Sequence, residues 1–125
     1  MERFATDHPT DAEILAAVAP PSDPRWQQLA ALPPWADGAW DDDALVSLVA
    51  LLDGLGLVVA FDRDAWSSKD RYPNGRGLAA APPADSVRLI TSSVRGERVH
   101  DGALRTALED GSIAAAVARV RSRRP

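Results

Sequence analysis

The chain has 125 residues, 46% hydrophobic and 26% charged, a balance that suits one globular domain and argues against wholesale disorder. It contains no cysteine, which removes disulfide frameworks, cysteine zinc sites and thiol nucleophiles together. The net charge of −4 is unevenly divided: residues 1–64 carry twelve acidic and three basic side chains, net −9, and residues 65–125 carry eleven basic and six acidic, net +5. Two such halves attract each other, so they are expected to fold together; separate acidic and basic faces are the alternative.

Residues 1–9 read as a flexible N-terminal arm with no apolar stretch after a basic start, hence not a signal peptide. Thr10 and Glu13 have capping-box spacing, which predicts a helix from Asp11 to about Ala19 with Ile14, Leu15 and Val18 inward, stopped by Pro20-Pro21. Asp23 followed by Pro24 opens a second helix, with Trp26, Leu29 and Ala30 on one face, ended by Pro33-Pro34. Trp35 and Trp40 then fall in a loop. Asp41-Asp42-Asp43 suits a helix N-terminus, where the macrodipole favours negative charge; calcium ligands at the required further spacing are missing. The next helix carries the clearest stripe in the chain. Leu45, Leu48, Val49 and Leu52 fall at i, i+3, i+4 and i+7, Val46 and Leu51 widen the stripe, and Gly54 stops it. This helix is expected to be the central, most buried one.

The run Leu57 to Phe61 has no evident partner strand, so an extended connector or a single helical turn is expected. The longest apolar run, Leu55 to Phe61, is far too short to span a bilayer. Asp62 caps a short helix holding Trp66. Residues 67–83 are rich in Gly, Pro, Ser and Arg, with a tight turn at Tyr72-Pro73-Asn74-Gly75, and read as a mobile loop. A helix starting at Ala84 or Asp85 follows, with Val87, Ile90, Thr91 and Val94 on its core face and Arg88, Ser92 and Arg95 on another. Gly96 loosens its end, Asp101 caps a helix from Gly102 to Asp110, and Gly111 stops it. The last helix runs from Ser112 to about Ser122, with Ile113, Ala116, Val117 and Val120 buried. The result is an all-α (mainly α) fold: a compact single-domain bundle of five to seven short helices over residues 10–122.

The stretch Leu89-Ile90-Thr91-Ser92-Ser93-Val94-Arg95-Gly96-Glu97-Arg98-Val99-His100-Asp101-Gly102-Ala103-Leu104, with the helix after it, resembles an uncharacterised prokaryotic and phage family, domain-of-unknown-function family 6508. Thr91, Val94, Arg95, Glu97, Arg98, Asp101, Gly102 and Leu104 match its pattern. Phe61-Asp62-Arg63-Asp64-Ala65-Trp66 resembles its Asp-Trp-x-x-Trp segment, with Arg63 in place of the first tryptophan. Val99 stands where an aromatic residue is usual, and His100 where a small residue or cysteine is common. The resemblance covers roughly residues 35–120 and implies no activity.

Neither His8 nor His100 has a metal-ligand partner at i+3 or i+4, and no nucleophile elbow or phosphate loop is present. His100, between Glu97 and Asp101, reads as a corner histidine bonded to a carboxylate before it reads as an acid–base catalyst. Arg88, Arg95, Arg98 and His100 form a candidate cluster, either a clamp on acidic helix ends or an anion pocket. Trp35, Trp40 and Tyr72 are candidate interface residues. The expected role is that of a non-catalytic helical protein-interaction module in the bacterial cytoplasm, binding a protein partner or itself, without cofactor or metal and without a membrane. The alternatives are nucleic-acid association through Arg119, Arg121, Arg123 and Arg124, which the acidic total charge disfavours, and an enzyme or small-anion binder at Arg95, Arg98 and His100.

Overall fold

A computed structural model describes residues 10–30, 42–59, 72, 75–96 and 102–122. Among the described residues there are six α-helices and no strand: α1 (Asp11–Ala16), α2 (Arg25–Ala30), α3 (Asp42–Gly54), α4 (Pro83–Gly96), α5 (Ala103–Glu109) and α6 (Ser112–Arg121). A 3-10 turn, Leu78–Ala80, precedes α4. The fold is mainly α, and its helices are short.

Local chemistry sets the helix ends. Thr10 and Glu13 form the expected capping box, Glu13 N donating to Thr10 Oγ1 at 3.1 Å and Thr10 N donating to Glu13 Oε1 at 2.8 Å. α1 stops at Ala16 rather than near Ala19, because the Pro20 ring would strike the carbonyl four residues back in a continuing helix. Asp23 caps α2 by accepting from Arg25 N at 2.9 Å. α4 begins at Pro83 itself, one or two residues before the expected start; a first-turn proline loses no hydrogen bond there. The segment between residues 67 and 83 contributes buried Leu78 and Ala81 to the interior.

α3 ends at Gly54, but the residue that turns the chain is Gly56, with φ +79°. Leu57 N donates to Leu52 O at 2.9 Å and Gly56 N to Asp53 O at 3.0 Å. This is the pair of bonds that closes a Schellman motif, with Leu52 and Leu57 both fully buried across it. The connector leaves as neither helix nor strand over residues 57–59. It is pinned by Thr91 of α4, whose hydroxyl donates to Leu57 O at 3.2 Å and accepts from Val59 N at 3.0 Å. The side chain thus supplies the bonds that a neighbouring strand would have supplied.

The central helix is α4, not α3. Ala84, Asp85, Ser86, Val87, Leu89, Ile90 and Thr91 are all buried, and α4 packs on α6 most extensively, then on α1 and α5. In α3, Leu48 and Leu52 are buried but Val46 is 69% exposed. Among the contacts between described elements, α3 meets α2 substantially and little else. A helical stripe records how much apolar surface a helix offers; the number of helices that come to cover it depends on the rest of the chain. Leu104, Leu108, Ile113, Ala116 and Val120 complete the core from α5 and α6.

Candidate functional site

The first polar cluster sits where α1 meets α4. Asp85 and Arg88 lie one turn apart on α4, and Arg88 Nη1 donates to Asp85 Oδ1 at 2.7 Å. Its other arm, Nη2, reaches Asp11 Oδ1 in the first turn of α1, also at 2.7 Å. The Tyr72 hydroxyl donates to the second oxygen of Asp85. The side chains of Arg88 and Asp85 are 14% and 13% exposed, and Asp11 closes the cluster from the solvent side at 53%. A guanidinium with both arms on carboxylates has no fork left for an external anion. Arg88 therefore clamps the acidic first half to the basic second half, and Tyr72 is turned inward.

Arg95 lies half-buried in the last turn of α4. It makes no ion pair with a described residue. Arg98, His100, Trp35 and Trp40 lie outside the described residues. Arg119, counted among the cations available to nucleic acid, donates from Nε to Ala81 O at 2.8 Å and ties α6 to the start of α4. Among the described residues no three His, Cys, Asp or Glu side chains converge as metal ligands. No described helix is long and apolar enough to cross a membrane. Leucine in place of Arg88 is expected to lower stability by about 1–2 kcal/mol, because Asp85 keeps its tyrosine bond but loses its counter-charge. Asparagine in place of the exposed Asp11 should cost under about 1 kcal/mol; urea unfolding measures both.

A second ion pair marks the start of α2. Arg25 grips Asp23 with Nε at 3.1 Å and Nη2 at 2.7 Å. A Cβ placed on Gly54 would meet Arg25 Nη1 at 2.8 Å, so the same guanidinium rests against the C-terminal end of α3, where positive charge is favoured. The side-chain hydrogen bonds from Arg25, followed by its backbone N–H, hold the Asp23 carboxyl down from 3.8 to about 2. A folded-state value below the unfolded one stabilises above about pH 4, and that contribution disappears as pH falls through about 2. A carboxyl NMR titration should show the Asp23 midpoint near 2, returning toward 3.8 in Arg25→Ala.

The third feature is an open groove of about 360 Å³ between α2 and α6. Trp26 and Leu29 form its base, Ala114, Val117 and Ala118 its wall, and Arg121 and Ser122 one end. Trp26 is fixed by its indole N–H, which donates to Pro20 O at 3.0 Å. Ile113, Ala116 and Val120 of α6 face the core, and the groove residues form the adjacent stripe. Its members 114, 117, 118 and 121 fall at i, i+3, i+4 and i+7, so α6 carries two neighbouring apolar faces. Val117, expected inward with the core face, is half-buried and lines the groove instead. The second stripe was the sequence signal that could have revealed it. Arg121 is exposed at the rim and makes no ion pair with a described residue.

A family model described as a family of unknown function (DUF6508) matches residues 24–125. The chain belongs to this family. The match takes in both walls of the groove, together with Tyr72, Asp85 and Arg88, and leaves α1 and its Asp11 outside. Membership of DUF6508 assigns no reaction. Neither a curated protein nor a solved structure matches the chain.

Proposed function

We propose that this DUF6508 member is a small non-catalytic protein-interaction module, acting in the cytoplasm of a bacterial cell, and that the groove between α2 and α6 is its contact surface. The groove carries the reading. Among the described residues its lining is mostly apolar, with Arg121 at its rim, the chemistry by which a hydrophobic groove receives the apolar face of a helix. The polar cluster at Arg88 supports the same reading from the other side, because its hydrogen-bonding groups are matched to one another.

The test uses a partner captured with the tagged chain, identified by mass spectrometry, purified and titrated by calorimetry. Ala118→Trp, which fills the groove from an exposed position, should weaken binding about tenfold or more. Glu109→Gln, on the exposed face of α5, should leave it unchanged. A partner bound equally by all three chains would refute the assignment.

A further inference from the structure

We propose that the occupant of the groove is a second copy of this chain, presenting the outer face of α3; this rests on the reading of the groove as a contact surface. Asp43, Val46, Ser47 and Ala50 are all exposed and fall at i, i+3, i+4 and i+7. Val46, at 69%, is the one large hydrophobic side chain among the described residues that stands out in solvent. The α3 face thus carries Val46 and Ala50 between two exposed carboxylates, Asp43 at its start and Asp53 at its end, and the described lining of the groove is mostly apolar with Arg121 at one end.

The two faces match in register as well as in chemistry. In an antiparallel helix pair, a step toward the N-terminus of one helix is met by a step toward the C-terminus of the other. Setting Val46 against Ala118 places Asp43, three residues earlier, opposite Arg121, three residues later. The same setting puts Ser47 opposite Val117 and Ala50 opposite Ala114, four residues away in each direction. Each step of three residues is about 4.5 Å along a helix axis, so the carboxylate and guanidinium arrive at the same level. Alanine at 50, 114 and 118 lets the two helices approach closely, and Val46 meets the wall where α6 offers its smallest side chain. The dipoles agree: the positive N-terminal end of α3 lies beside the negative C-terminal end of α6, each with its complementary charged side chain. Every copy carries both faces, so a pair that closes about a two-fold axis makes the contact twice.

Sedimentation and light scattering of the full chain, from about 5 µM to about 1 mM, test this directly. Mass should rise with concentration from the 13.3 kDa of one chain toward that of two. Val46→Lys and Arg121→Glu alter exposed side chains, and unchanged circular dichroism melts should show that both still fold. Each should move the association midpoint upward about tenfold or more. Mixed together they should associate better than either does alone, because Val46→Lys retains an intact groove and Arg121→Glu an intact α3 face. The pair Asp43→Arg and Arg121→Asp in one chain should restore association that Arg121→Asp alone abolishes. A wild-type chain monomeric at about 1 mM overturns the proposal, as does a mixture no better than its components. If self-association is absent but Ala118→Trp still abolishes binding of a purified partner, the contact-surface reading stands and only the second copy is refuted.

Discussion

Alanine at position 56 is expected to destabilise the chain by about 3–5 kcal/mol, a large share of the stability of a domain this size. Two separate effects combine. Gly56 has φ +79°, a left-handed conformation that costs a side-chain-bearing residue about 1 kcal/mol. The new Cβ would also lie 1.9 Å from Ala17 O and 2.7 Å from Ala17 C. Those are backbone atoms at the end of α1, held there because Ala19 N donates to Leu55 O at 2.9 Å. No rotamer change relieves such a collision; α1 has to move off the end of α3. Gly111 separates the two effects. Its φ is +87°, yet nothing lies within 4 Å of its added Cβ, so Gly111→Ala should cost only about 1 kcal/mol. Thermal melts of the two variants should differ by roughly 10 °C or more.

Valine in place of Thr91 should cost about 2–4 kcal/mol although its shape is nearly unchanged. The hydroxyl is the hinge between Leu57 O and Val59 N, and Thr91 is completely buried. Valine offers neither donor nor acceptor, so the buried Leu57 carbonyl and the part-buried Val59 amide of the connector both lose their partner. Thr91→Ser keeps the hydroxyl and removes a methyl group, a loss of about 1 kcal/mol. Hydrogen exchange gives a local readout: Val59 N–H should lose protection in Thr91→Val and keep it in Thr91→Ser.

These two positions show what a sequence makes legible. The Thr10–Glu13 capping box, the Asp23-Pro24 start and the core face Val87–Ile90–Thr91 were all readable, because each depends on residues within two turns of one another. Gly54 is expected to stop its helix and α3 does end there, but the left-handed residue that turns the chain is Gly56. Two nearby glycines satisfy the same local rule, and only the Leu52–Leu57 closure and the approach of α1 choose between them. The salt link between the acidic and basic halves was expected from charge alone, with Arg88 among several candidates. What selects Arg88 is a contact spanning 77 residues. Helical spacing puts Thr91 on the core face as packing, yet its hydroxyl holds a connector 32 to 34 residues away. The prominence of α3 in sequence and of α4 in space has the same origin. Local periodicity reports a face, and the number of neighbours on that face is a property of the whole chain.

Backbone amide shifts, followed as the chain is concentrated and again as its purified partner is added, decide where this protein makes contact. Changes centred on Ala114, Val117, Ala118, Arg121 and the Trp26 indole, joined by Asp43, Val46 and Ala50 as the chain is concentrated, with Asp11, Asp85 and Arg88 unmoved, are the expected outcome. Changes centred on Asp11, Asp85 and Arg88 with a silent groove would contradict it, and would return the functional site to the arginine cluster.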